Sequence, residues 1–425
     1  MLDIKLIREN PDFVRKGLAA KKEKDRIGEI LTLDEERRSL IFAVEELKAK
    51  KNQASAKIPQ MKKAGEDTSA LLAEMKGVSD EITAKDKRVA EIEEAINNIL
   101  AYIPNLPHES VPVGMSAEEN VEVRRWLPEG FKFENEFTPL DHIQLGKKLN
   151  ILDFERGAKV TGSGFPVYKG KGATLERALI NFFLDMHIND HGYEEIFPPF
   201  LVNRDSMKGT GQIPKMEEDM YFIEKDGLYP IPTAEVPITN IYRDEVLAEK
   251  DLPVKYAGYS ACFRREAGSY GKDSKGFLRV HQFNKVEMVK FAHPDTSYDE
   301  LEKLVKDAED ILQALRVPYR ILMLCTGDLS FSAAKCYDIE VWSPAEQKWL
   351  EASSCSNFEA FQARRANIKY RREENKKLEY IHTLNGSGLA TSRLMVSLLE
   401  NCQTPEGTVV IPKPLQKYTG FSIIG

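Results

Sequence analysis

Apolar residues in the first quarter of the chain recur in a heptad rhythm. Leu33, Leu40, Leu47 and Ala54 are spaced by seven, with Val44 and Ile58 in the second register. After a break over residues 59–69, the 4-3 alternation resumes through Leu71, Met75, Val78, Ile82, Val89, Ile92, Ile96 and Ile99, with Lys85 its one polar member. Two such segments joined by a short turn containing Pro and Gly predict an antiparallel coiled-coil hairpin over about residues 27–100. Each helix of about 30 residues would be on the order of 45 Å long. An arm of this kind must protrude, because two helices cannot enclose a core. Ahead of it, Asn10 and Pro11 predict an N-cap and a first helical position, opening a helix to about Ala20.

The pattern then changes. Ile103-Pro104-Asn105-Leu106-Pro107 ends the helical rhythm and starts a linker. Boundaries are expected at 1–103 for the arm domain, 104–120 for the linker and 121–425 for the main domain. Residues 172–190 carry Leu175, Leu179, Phe182, Phe183 and Met186 on one stripe and predict a helix. Residues 192–201 predict a turn and strand. Further short β-branched and aromatic runs predict strands at 229–232, 257–264, 279–291, 319–324, 337–343 and 348–352. Few strands alternate with helices, so an α+β class built on an antiparallel sheet is expected. A helix is expected from Leu389 to Asn401.

At 425 residues the chain has room for two or three domains and a large core. Its net charge of -7 requires any nucleic-acid partner to be met by a local basic patch. One is present: between Leu47 and Gly65 stand Lys48, Lys50, Lys51, Lys57, Lys62 and Lys63 with no acidic residue. A solvated helix face accounts for such a run equally well. Its place at the tip of a projecting arm favours contact with a phosphate backbone. The five cysteines show neither a CxxC pair nor metal-ligand spacing, which suits reduced thiols in a cytoplasmic protein. No apolar run is long enough for a membrane span, and a membrane partner is not expected.

The densest chemistry lies at residues 263–288. Two alternating runs carrying Arg264, Glu266, Arg279, Phe283 and Glu287 flank a loop rich in Gly, Lys and Asp. A hairpin there would gather guanidinium groups, a stacking ring and carboxylates on one surface, an inventory suited to a nucleoside triphosphate beside a zwitterion. No GxxxxGK[ST] loop is present, and Gly386-Ser387-Gly388-Leu389-Ala390-Thr391 lacks the third glycine of a dinucleotide fingerprint. The phosphates must therefore be gripped by side chains. Arginine suits that task because its planar fork bonds phosphate and carboxylate bidentately and stays charged.

Phe263-Arg264-Arg265-Glu266 resembles motif 2 of class II aminoacyl-tRNA synthetases. Residues 192–201, with Pro199, resemble motif 1, and Gly386-Ser387-Gly388 with Arg393 resembles motif 3. Residues 206–215, Thr233-Ala234-Glu235 after Pro232, and Glu351-Ala352-Ser353-Ser354 through Asn357-Phe358 narrow the resemblance to the bacterial type of seryl-tRNA synthetases. It extends from the amino-terminal helix to the carboxyl end. Departures are Ala352, Ala360 and Lys275, where Val or Ile, Asp and Arg are more usual.

The resemblance implies a ligase that activates L-serine with ATP and passes the seryl group to the 3′ end of tRNA-Ser, with tRNA-Sec a further acceptor that it allows. It implies a homodimer and a Mg²⁺ ion. Arg264 would bridge the α-phosphate and the serine carboxylate, Glu266 would orient the nucleotide, and Arg279 and Arg393 would hold the outer phosphates. Phe283 would stack on adenine. Arg265, Val280, Ala352 and Ser353 complete the expected ATP set, and Glu351 and Ser354 would supply oxygen ligands to the metal. Thr233, Ala234, Glu235, Glu287, Asn385 and Ser387 would form the serine pocket with Arg264, Glu287 taking the hydroxyl proton. Lys50, Lys51, Lys57, Lys62 and Lys63 would meet tRNA. A related ligase with another acceptor and a coiled-coil RNA-binding adaptor are the competing readings; the basic arm opposes the first, and the intact motif residues oppose the second.

Overall fold

A computed structural model describes residues 1–134, 136–266 and 275–425. It divides into two compact units, Leu2–Pro104 and Asn105–Gly425 with Met1. In the first, short helices Ile4–Glu9 and Pro11–Ala20 precede two long ones, α1 (Ile27–Ala64) and α2 (Ser69–Leu100). The heptad residues turn inward: Val44, Ala54, Ile92, Ile96 and Ile99 are buried, and the others on the seam are half-buried. Near the start of α1, buried Asp34 takes a two-point bond from Arg8 at 2.7 and 3.2 Å and a third from Arg38 at 3.2 Å.

The expected break at Pro59 is not there: α1 runs through it to Ala64. Proline removes one backbone donor, and the carbonyl this leaves belongs to Ser55, which is exposed and can turn to solvent. The stop comes at Gly65, whose φ of 75° lets its N–H return to Lys62 and that of Glu66 to Met61.

The second unit is built on an eight-stranded sheet. Its strands are β1 (Val121–Trp126), β2 (Glu194–Glu195), β3 (Val254–Phe263), β4 (Gln282–Ala292), β5 (Tyr319–Met323), β6 (Lys335–Ser343), β7 (Lys348–Asn357) and β8 (His382–Ala390). Their order is β1-β5-β6-β7-β8-β4-β3-β2. Every pairing is antiparallel except that of β2 with β3. The α+β class with an antiparallel-dominated sheet therefore holds. Helices α3 (Lys171–Asn189), α4 (Ser297–Ala314) and α5 (Thr391–Asn401) contribute to the main core with one face of the sheet, through Leu179, Phe183, Leu301, Leu304, Leu394 and Leu398.

Three expectations change. Residues 192–201 give only the two-residue β2 before an irregular path to a short strand at Leu201–Asn203. β7 runs five residues beyond the expected 352. The segment expected to open a helix at Leu389 is instead β8, central in the sheet, and the helix starts at Thr391. Gly386 hides this strand from a propensity reading, yet it is required there: a Cβ would stand 2.2 Å from Leu304 Cδ2 and 2.9 Å from Cys355 Sγ. The loop expected between β3 and β4 falls largely at 267–274, outside the described residues. No helix among the described residues is long and apolar enough to cross a membrane.

Candidate active site

Alternation along β4 separates its two faces. Val286 and Met288 enter the main core, whereas Phe283, Lys285 and Glu287 point the other way. On β8, beside it, Leu384 and Gly386 face the helices, and Asn385 and Ser387 join the opposite face. Above these strands is a cavity of about 590 Å³. It is lined by Thr233, Glu235, Arg264, Glu266, Arg279, Val280, Phe283, Glu351, Ala352, Ser353, Ser354, Asn385, Ser387 and Arg393, all expected from the sequence. Three expected residues do not line it. Ala234 is buried in a core with Ile238, Leu247 and Val289, Arg265 is exposed, and Glu287 is fully buried behind the wall.

At one end the arginines are held by carboxylates and carbonyls. Arg279 pairs with Glu266. Arg393, in the first turn of α5, donates to the Glu351 carbonyl at 3.0 Å and to its carboxylate at 3.2 Å, and to the Leu278 carbonyl at 3.3 Å. Arg264 donates to the Pro232 carbonyl at 3.3 Å and lies over the Phe283 ring at 5.1 Å. His281 supports it from behind, donating through Nδ1 to the Arg264 carbonyl at 2.9 Å. These contacts fix three guanidinium groups around one space while leaving donor positions for an anion.

The other end is a closed polar network. Asn385 Nδ2 donates to Glu235 Oε2 at 3.0 Å and to Glu287 Oε1 at 2.8 Å. Gln362 donates to Glu235 Oε1 at 2.6 Å, and Thr233 Oγ1 donates to Glu287 Oε2 at 3.1 Å. Lys285, only 5% exposed, pairs with Glu287 and donates to Thr233 Oγ1 at 3.0 Å. Burial, and next the Glu287 charge, push the Glu235 carboxyl up to about 7; the bond from Gln362 and the Lys285 and Arg264 charges oppose them. Lys285 and Gln362 were not singled out from sequence. Alternation from Phe283 and Glu287 leads to Lys285, and Gln362 stands in the run Phe361-Gln362-Ala363-Arg364-Arg365, which belongs to the seryl-type resemblance.

Glu351 and Ser354 stand on β7 with Asp338 opposite Ser354 on β6. Burial and then the Glu351 charge hold the Asp338 carboxyl well above its ordinary range. Two neighbouring carboxyl groups beside a hydroxyl suit a hard divalent cation. Among the described residues no three His, Cys, Asp or Glu side chains form a metal-ligand cluster. Such an ion would need oxygens from a bound phosphate.

An antiparallel sheet that carries an arginine-lined cavity fits a class II tRNA synthetase. A model described as the class II core domain (G, H, P, S and T) matches residues 220–402, and one described as the seryl-tRNA synthetase N-terminal domain matches 1–107. The serine–tRNA ligase of Chloroherpeton thalassium is 59% identical over the whole of both chains, and that of Chlorobium phaeobacteroides 57%. Among solved structures, a Pyrococcus horikoshii seryl-tRNA synthetase complexed with ATP superposes with a TM-score of 0.94 at 41% identity, covering 100% of this chain and 99% of that one. A Naegleria fowleri cytoplasmic serine–tRNA ligase in complex with AMP gives 0.88 at 31%, covering 100% and 98%. The chain belongs to the seryl-tRNA synthetase family.

Proposed function

We propose that this cavity activates L-serine with ATP and passes the seryl group to the 3′ end of tRNA-Ser. The observation that carries the reading is the meeting of Arg264, Arg279 and Arg393 with the Thr233–Glu235–Asn385–Ser387 pocket around one space. ATP lies at the arginine end, its base against Phe283 and its outer phosphates on Arg279 and Arg393. The serine ammonium meets Glu235 and Thr233, and Arg264 holds the serine carboxylate against the α-phosphate.

The carboxylate is ionised near neutral pH and needs no general base. It attacks the α-phosphorus as the bond to the β-phosphate oxygen breaks, giving seryl-adenylate and pyrophosphate. Arg264 keeps the partners aligned and meets the charge that grows on the α-phosphate. A ribose 3′-hydroxyl of tRNA then attacks the seryl carbonyl and AMP leaves. Mg²⁺ on Glu351 and Ser354 would supply further positive charge to the phosphates. Asn385 and Ser387 face the serine side chain, and Glu287 orients Asn385 from behind.

The arm, residues 1–103, is the tRNA-binding part of this reading, and 121–425, after the linker, is the catalytic part. Lys50, Lys57, Lys62 and Lys63 are exposed and Lys51 half-exposed, and among the described residues none of the five forms an ion pair. They suit the backbone of a double-helical RNA arm, recognised by shape. The same reading makes the protein a cytoplasmic homodimer and leaves tRNA-Sec a second acceptor. Serine-dependent exchange of labelled pyrophosphate into ATP, followed by charging of tRNA-Ser, tests the function. A folded protein that performed no exchange would overturn it.

A further inference from the structure

The backbone that leads into β4 passes through Phe277 and Leu278, both of which line the cavity. Arg279 follows directly, so this short irregular stretch sets where its guanidinium stands. Two groups hold the stretch. Arg393 donates through Nε to the Leu278 carbonyl at 3.3 Å. Fully buried His142 accepts the Phe277 N–H through Nε2 at 3.1 Å. His142 opens the helix His142–Lys148 and stacks on the Phe277 ring with centroids 5.9 Å apart, while Phe154 and Tyr168 close the aromatic slot at 5.3 and 5.2 Å. Gly276 makes room for the imidazole. Its φ is 58°, and a Cβ there would stand 2.1 Å from His142 Nε2.

Glu400, itself buried, decides which ring nitrogen carries the proton. Its Oε1 accepts from the His142 backbone N–H at 3.1 Å and from His142 Nδ1 at 3.3 Å, and its Oε2 accepts from Ser343 Oγ and from the Ala345 N–H at 3.2 Å. Nδ1 therefore donates, and Nε2 keeps the lone pair that the Phe277 N–H needs. Glu400 and Arg393 both belong to α5, close to two full turns apart and on one face. The contacts close a ring: α5 reaches Leu278 through Arg393, and reaches Phe277 through Glu400 and His142. We propose that His142 is a positioning residue for the nucleotide, pinning the Phe277 N–H to α5 so that Arg279 and Arg393 meet one triphosphate in fixed relation. A ring that only filled space would need no nitrogen here. A buried N–H deprived of its acceptor must move to find another, and that movement would carry Leu278 and Arg279 with it. The serine pocket, built on β4, β8 and residues 233–235, would stay in place.

This inference rests on the ATP-dependent reading above, and the test separates the two. Pyrophosphate exchange is measured at varied ATP and at varied serine for the full-length protein, His142→Asn and His142→Gln. Asn keeps a donor beside Glu400 but falls short of Phe277, whereas Gln can offer Phe277 its amide oxygen. His142→Asn should raise KM for ATP by about tenfold, the scale of one buried donor left without an acceptor, and leave KM for serine within about twofold. His142→Gln should bring KM for ATP back to within about threefold of the unaltered protein. A role in packing alone would lower the amount of folded enzyme and leave both KM values in place. That outcome would overturn the proposal, as would a His142→Gln protein no better than His142→Asn. Absence of serine-dependent exchange in the unaltered protein, which no variant is needed to see, would remove the functional reading and this inference with it. Should His142→Asn fail to fold, amide hydrogen exchange of the unaltered protein decides. The Phe277 N–H should exchange at least about a hundredfold more slowly than an unstructured amide, and exchange at the unstructured rate would refute the anchor.

Discussion

Proton release should accompany serine binding, and it should do so through Glu235. This carboxyl is 6% exposed and is held by Gln362 and Asn385, with Glu287 the nearest competing anion. Burial first and Glu287 second bring it to about 7 from an ordinary 4.5. In the empty pocket it is mostly protonated at pH 6 and mostly ionised at pH 8. The serine ammonium binds the ionised form. With one proton released, the ionised fraction falls from about nine-tenths at pH 8 to about one-tenth at pH 6, and KM for serine should rise by about tenfold.

The same shift acts on stability. The folded pKa exceeds the unfolded one, so the empty protein gains a proton relative to the unfolded chain between about 4.5 and 7. It therefore loses stability as pH rises through that window, by roughly 3 kcal/mol for a shift of this size. Serine supplies the missing cation, and its stabilising effect on Tm should grow with pH. The assay is pyrophosphate exchange from pH 5.5 to 8 at saturating ATP, with Glu235→Gln as the control that cannot titrate. A serine KM constant across that range in the unaltered protein would refute the reasoning, as would a Glu235→Gln profile that kept the slope.

Other perturbations address separate parts of the molecule. Replacing Lys50, Lys51, Lys57, Lys62 and Lys63 by Ala should weaken charging of tRNA-Ser and flatten its salt dependence, yet leave pyrophosphate exchange within about twofold; equal loss of both activities would count against an RNA role for the arm. Phe283→Ala should raise KM for ATP by tenfold or more, since a base stacked on an aromatic ring is worth about 1–3 kcal/mol, and an unchanged nucleotide KM would place adenine elsewhere. Gly386→Ala pushes a methyl group to 2.2 Å from Leu304. It should cost about 1–3 kcal/mol by overpacking, and thermal unfolding at an unaltered Tm would show that α4 can shift away.

Periodicity made the arm legible because its helices repeat one rule for more than thirty residues each. The single error there, the turn at Pro59, came from weighing a missing N–H above the left-handed conformation that Gly65 alone among its neighbours adopts without strain. In the second unit, strands with β-branched or aromatic alternation were visible. β8 was not: Asn385, Gly386, Ser387 and Gly388 have poor strand propensity. They form a strand because neighbours on both sides leave room for nothing larger. Gly386 packs under Leu304, and at Gly388 a Cβ would come 2.2 Å from His187 Nε2. Tertiary packing decided what local preference could not.

A spaced motif states which residues share a strand and a face, and for Arg264, Glu266, Phe283 and Arg393 that sufficed to bring them to one cavity. It does not state depth. Glu287 and Lys285 share a face, yet one is sealed in the sheet and the other stands over it, a difference set by side-chain length and by who must neutralise whom. Glu235 shows the same limit, since its carboxyl depends on Gln362, more than a hundred residues along the chain, and on the charge of Glu287 on β4. Spacing thus locates the parts of the pocket, whereas the order in which charges are stacked within it fixes what each part can bind.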